Sequence, residues 1–78
     1  LTRHATGRAE DRPAYWVDGN IHSVELSASS ACLYFVDWLL KHDGQDADVT
    51  RLLDTRTLYI APRLNPDGAE WALADRPK

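Results

Sequence analysis

Between Val24 and Lys41 the polar residues Ser27, Ser30, Tyr34, Asp37 and Lys41 recur at spacings of three, four, three and four. On a helix of about 3.6 residues per turn these positions form one narrow stripe. A strand, whose side chains alternate with a period of two, could not produce the pattern. The remaining surface, including Leu26, Ala28, Ala31, Leu33, Phe35, Val36, Trp38, Leu39 and Leu40, is therefore predicted to face protein. Phe35 and Trp38 read as core residues. Cys32 lies in the same helix and is the only cysteine, so an internal disulfide is excluded and a small buried hydrophobe is expected.

A helix that must be covered on three sides sits awkwardly in 78 residues, a size at which a single core is marginal. The chain is 44% hydrophobic and carries three tryptophans, more apolar surface than a small fold can hide. It reads as a piece of a larger domain, and in isolation it is predicted to be poorly folded, aggregated or oligomeric. A net charge of −3 with no basic stripe speaks against nucleic acid as a partner. No run of 18 apolar residues offers a membrane segment, and the first residues lack a signal-peptide pattern. The compartment stays open.

The helix is flanked by two short apolar runs. Leu1 to Pro13 is polar and rich in breakers, with a turn at Thr6-Gly7 and a mixed-charge loop from Arg8 to Arg12. Arg3, Arg8 and Arg12 read as solvated. Pro13 biases Arg12 towards an extended conformation and launches a strand over Ala14 to Asp18. After the helix, His42-Asp43-Gly44 supplies a cation near the C-terminus and a left-handed stop. Asp46 or Asp48 should cap a second, short helix reaching about Asp54, with Val49, Leu52 and Leu53 as its apolar edge. Arg51, Asp54 and Arg56 read as surface charges. Thr57 to Ala61 suits a buried strand, stopped by Pro62. The order strand, long helix, short helix, strand is a βαβ crossover, so the fold class is α/β, with parallel strands and helices packed on the sheet. Both strands then end on the same edge. Asn65-Pro66-Asp67-Gly68 follows there, and locally it reads as a tight turn.

The first strand leads into Gly19-Asn20-Ile21-His22-Ser23-Val24-Glu25, where Gly19 would permit a sharp turn. Groups just outside the carboxyl ends of strands are where α/β proteins commonly bind ligands. With a helix beginning near Ser23 or Val24, His22 and Glu25 would lie three apart on one face. An imidazole and a carboxylate so placed can grip one zinc ion, which accepts both donors at about 2.0–2.2 Å. Two ligands do not complete such a site, so a third must come from elsewhere. The plainer alternative makes Glu25 a first-turn acid facing the helix dipole and His22 an exposed loop residue.

His22-x-x-Glu25 after one strand, then Pro62-Arg63-Leu64-Asn65-Pro66-Asp67-Gly68 after the next, resembles the zinc carboxypeptidase family of the carboxypeptidase A type. The Asn-Pro-Asp-Gly match alone has a chance frequency on the order of one in 10⁵ per position. The resemblance runs over 13–71. It implies a βαβ portion of a larger mixed-sheet peptidase domain, with 1–12 as a loop and preceding strand end and 72–78 as a truncated continuation. It further implies His22 and Glu25 as two of three protein ligands to Zn²⁺, Glu25 binding through both oxygens. Asn65 to Gly68 would shape the loop beside the active site without being catalytic. The third ligand, a histidine, and the glutamate that works on the metal-bound water lie downstream in the family and match no position here. His4 and His42 match no ligand position, and Arg76 is the nearest residue to the family's oxyanion-stabilising arginine. Many members carry an arginine before the glutamate ligand, where this chain has Val24, so its substrate subsite should differ and a bacterial-type branch fits better than the digestive one.

The resemblance thus implies a metallocarboxypeptidase hydrolysing C-terminal peptide bonds, with a peptide or protein C-terminus as substrate. The 78 residues alone would be inactive and would depend on the remainder of the catalytic domain. Two other readings stay open on these residues: a zinc amidohydrolase that deacylates amino acids, and a non-catalytic α/β module or degenerate relative whose His22 and Glu25 bind nothing.

Overall fold

A computed structural model describes residues 1–76 of the chain. In order it contains β1 (Ala14–Asp18), α1 (Leu26–His42), α2 (Ala47–Thr55), β2 (Thr57–Ala61) and α3 (Pro66–Leu73), preceded by short 3-10 turns at His4–Thr6 and Ala9–Asp11. The two strands pair in parallel, with Ala14 opposite Thr57 and Asp18 opposite Ala61. The ladder is closed at one end by the Thr57 N–H on the Pro13 carbonyl (3.0 Å) and at the other by the Gly19 N–H on the Ala61 carbonyl (3.1 Å). α1 packs against β1 and reaches β2 through the cluster of Leu39 with Leu58, as the crossover predicts. On the other side of β2, Leu1 and Leu58 exchange both main-chain hydrogen bonds, at 2.6 and 2.8 Å. That exchange is the signature of an antiparallel pair, so β2 is flanked by backbone of both directions.

Apolar side chains meet between the C-terminal half of α1, α2 and the start of β2. Leu39, Val49, Leu53 and Leu58 form the buried cluster, with Leu1, Phe35, Trp38, Leu52 and Ile60 packed around it. Cys32 is buried, as expected of a small hydrophobe. Asp46, not Asp48, caps α2, its carboxylate accepting from the N–H groups of Asp48 (2.9 Å) and Val49 (3.3 Å). α1 ends through Gly44 at φ 82°, and His42 at its last turn stacks on Trp38 with ring centroids 4.2 Å apart.

Several expectations are corrected. α1 begins at Leu26 instead of Val24, because Glu25 (φ −82°, ψ 53°) is not yet helical. Asn65-Pro66-Asp67-Gly68 is not a free turn but the start of α3: Asn65 caps the helix and Pro66 occupies its first turn, where a missing N–H costs nothing. Arg3, Arg12 and Asp54 are not loose surface charges. Arg3 is ion-paired with both Asp43 and Asp54. Arg12 donates to the carbonyls of Arg3 (3.0 Å) and Leu53 (3.1 Å) and to the Thr2 hydroxyl (2.6 Å). Among the described residues the cover for α1 is partial, since Leu33 and Leu40 are exposed, as are Tyr15 and Trp16 of β1 and Tyr59 of β2. No helix of the described residues is long and apolar enough to cross a membrane.

Candidate metal centre

The carboxyl ends of β1 and β2 each run into a loop, and the two loops are laced together. The Gly19 carbonyl accepts the Leu64 N–H (3.0 Å) and the Asn20 carbonyl accepts the Asn65 N–H (3.1 Å). The Asn65 amide bridges further: its Nδ2 donates to the Ile21 carbonyl (3.1 Å), while its Oδ1 accepts the Gly68 N–H (3.0 Å) that begins α3. Gly68 is buried where these loops meet. A Cβ there would stand 2.8 Å from the Ser23 Cβ and 2.5 Å from Asn65 Nδ2, closer than real Cβ contacts come. The Asn-Pro-Asp-Gly stretch therefore braces the His22 loop from beneath.

Gly19 is needed for packing more than for turning. A Cβ at Gly19 would meet the Ala28 carbonyl oxygen at 2.7 Å, so the strand end can lie against α1 only without one. The left-handed residue is its neighbour Asn20, at φ 63°. Asparagine is among the few residues that visit this region, because its short polar side chain can bond locally. Sequence reasoning passed over Asn20; the available signal was a Gly-Asn dipeptide directly after a strand.

Beyond Asn20 the Glu25 N–H bonds the His22 carbonyl at 3.0 Å, closing a four-residue turn just before α1. Glu25 makes no side-chain cap to the helix. Its carboxylate folds back instead: Oε1 accepts the His22 N–H at 3.1 Å and stands 3.2 Å from His22 Nδ1. The two hydrogen bonds from His22, ring first and backbone second, hold the Glu25 carboxyl below the usual carboxylate range. The side chains of His22 and Glu25 are 77% and 46% exposed, so the pair is open to solvent on a backbone that is fastened down.

This arrangement bears on a metal. Two donors bound to one zinc at about 2.0–2.2 Å with near-tetrahedral angles stand roughly 3.3–3.6 Å apart, and the hydrogen-bonded Nδ1 and Oε1, at 3.2 Å, need part only slightly to reach that spacing. The pair fits two positions of a zinc site. Among the described residues no group of three histidine, cysteine, aspartate or glutamate side chains comes together. His4 lies in the first 3-10 turn, and the His42 ring donates to the Trp38 carbonyl (2.7 Å) at the far end of α1. Arg76 is exposed beyond α3. Pro77 and Lys78, the end of the 72–78 continuation, lie outside the described residues.

A family model described as zinc carboxypeptidase matches residues 1–77. The chain is 36% identical over 68 residues to human carboxypeptidase A1 (Homo sapiens), covering 87% of the chain and 16% of that protein. It is 34% identical over 58 residues to rat carboxypeptidase A2 (Rattus norvegicus), covering 74% of the chain and 14% of the relative. To duck carboxypeptidase D (Anas platyrhynchos) it is also 34% identical over 58 residues, covering 74% of the chain and 4% of that protein. The chain thus spans at most about a sixth of the length of these relatives. With the parallel βαβ unit and a match over nearly every residue, the chain belongs to the zinc carboxypeptidase family.

Proposed function

We propose that this chain is the early part of the catalytic domain of a zinc metallocarboxypeptidase, and that His22 and Glu25 are two of its three protein metal ligands. The observation that carries the reading is the 3.2 Å between His22 Nδ1 and Glu25 Oε1 at the carboxyl edge of the sheet. Zinc, when bound, would supply Lewis-acid polarisation of the scissile carbonyl and a water acidic enough to react near neutral pH. The chain's own residues do the holding. Without a metal the His22 ring and N–H hold the Glu25 carboxyl in its ionised form. A metal on Nδ1 would take the place of the ring's hydrogen bond, and the turn closed by the Glu25 N–H keeps both donors on the solvent side.

The third ligand and the proton-shuttling carboxylate would come from the remainder of the catalytic domain. The substrate would be a peptide or protein C-terminus. Val24, exposed between the two donors, offers an apolar and uncharged surface to that substrate, so its subsite should not select by charge.

The test uses the full-length protein that carries this segment. His22→Ala and Glu25→Ala should each abolish stoichiometric zinc and release of C-terminal residues from peptides, while the thermal transition stays cooperative. Full activity with either side chain removed would refute the assignment. A protein that binds zinc and releases the acyl group of N-acyl amino acids, leaving peptides intact, would move it to the amidohydrolases.

A further inference from the structure

We propose that Asn20 is a positioning residue for the metal pair, holding the His22–Glu25 turn in the shape that brings the two donors together. The inference rests on the zinc reading above. It starts from three properties of one side chain. Asn20 is 1% exposed, its backbone is left-handed at φ 63°, and its Oδ1 is buried with no hydrogen-bond partner. Each property is unfavourable by itself. A residue that combines them is kept in place by something else.

What Asn20 does here is hold carbonyls. Its Nδ2 donates to the His22 carbonyl (3.1 Å) and the Ser23 carbonyl (3.3 Å). Asn65 Nδ2 takes the preceding carbonyl, that of Ile21 (3.1 Å). Two side-chain amides therefore draw three successive carbonyls of the loop inward. With its carbonyls turned to the protein, the turn presents His22 and Glu25 outward, Nδ1 and Oε1 3.2 Å apart. Asn20 would touch neither metal nor substrate. It acts through the backbone of a ligand, as outer-shell partners do when they fix the orientation of a metal-binding group.

Two substitutions separate this role from a mere preference for left-handed backbone. Asn20→Gly adopts φ 63° freely but has no amide. Asn20→Asp keeps the shape of the side chain but turns an acceptor towards two carbonyls. In the full-length protein, zinc affinity is measured by competition with a chelator, kcat and KM are read separately, and amide exchange of Glu25 is followed in the zinc-free protein. We expect Asn20→Gly to weaken zinc about 10- to 100-fold, the range seen for outer-shell partners of metal ligands. It should lower kcat in zinc-limited assays with KM unchanged, and speed exchange of the Glu25 N–H. Asn20→Asp should do the same. Zinc affinity of Asn20→Gly within about twofold of wild type would overturn the proposal, because the amide would then do nothing for the ligands. Should the unsubstituted protein bind no zinc, the metal reading fails, and the exchange arm still decides on Asn20. Unchanged Glu25 protection in Asn20→Gly would overturn its hold on the turn.

Discussion

The two ends of the βαβ unit spend their polar groups differently. At the end where the strands begin, Thr2, Arg3 and Arg12 reach across to α2 and to the C-terminus of α1. The Thr2 hydroxyl donates to the carbonyls of Leu53 (3.2 Å) and Arg56 (2.6 Å), Arg12 adds a further donor to Leu53 (3.1 Å), and Arg3 binds Asp43 and Asp54. The last carbonyls of a helix have no partner within it, and here arginine and threonine side chains supply one. At the other end Asn20 and Asn65 satisfy the backbone, and the side chains of His22 and Glu25 are left facing solvent. One end uses charge to close the fold. The other uses neutral amides to close the backbone and leaves the His22–Glu25 pair open to solvent.

If that contrast is sound, damage to the closed end should cost stability and damage to the open end should cost the metal. The largest effect is expected at Leu39, which is 2% exposed in the cluster with Val49, Leu53 and Leu58. Leu39→Ala should destabilise the full-length protein by about 2–5 kcal/mol, measured by denaturant unfolding. The folded fraction should still bind zinc with wild-type affinity. A metal defect larger than the folded fraction explains would break the comparison, because the core would then be shaping the site.

Gly68→Ala should produce the converse. Its new Cβ would press on Asn65 Nδ2 and the Ser23 Cβ, so either the Asn65 cap or the His22 loop must move. Overpacking of this kind costs about 1–3 kcal/mol, less than the Leu39 cavity. Zinc affinity should fall more than tenfold, as for outer-shell changes generally (about 10- to 100-fold). Unfolding curves and chelator competition on the same sample separate the two losses. A variant with wild-type zinc affinity would show that the two loops are laced for stability alone.

The ends also differ in how much of each could be read from the chain. The strands were legible to the residue, because Pro13 and Pro62 bound two short apolar runs and the helix stripe between them requires a crossover. His22 and Glu25 stood out by residue type and spacing. The start of α1 did not, because the Glu25 carboxylate closes a turn with the His22 N–H (3.1 Å) in place of capping the helix. The same loop is bonded by Asn20 and by Asn65, a residue 44 positions from its partner Ile21. Asn65-Pro66-Asp67-Gly68 carries both turn and helix-start chemistry, and tertiary contact with Ile21 and Ser23 decides between them. Arg3, Arg12 and Asp54 looked like solvent charges because Arg3 pairs with Asp43 and Asp54, and Arg12 bonds the Leu53 carbonyl, across about 40 to 50 residues of sequence.

The smallest effect, and the sharpest on the closed end, concerns pH. The Arg3 guanidinium hydrogen-bonds Asp43 and holds its carboxyl below the usual aspartate range, with the Thr50 hydroxyl and the Gly44 N–H helping. The native value is thus lower than the unfolded one of about 3.9. A group depressed by folding contributes stability that is complete above its unfolded pKa and is lost as pH falls through its native pKa. Both partners are partly exposed, at 32% and 25% of the side chain, so solvent screens the pair and the gain is modest. Asp43→Asn should therefore lower stability by a constant amount above about pH 5. The gap to wild type should narrow as the solution is acidified below about pH 4, because protonated Asp43 no longer holds Arg3 more tightly than an amide does. Denaturant unfolding across that range measures the gap. It should be the same with and without a zinc chelator, since Asp43 sits at the end of α1 remote from His22. A gap that changes with the chelator would mean that the two ends are coupled through α1, and the division between a closing end and a binding end would have to be given up.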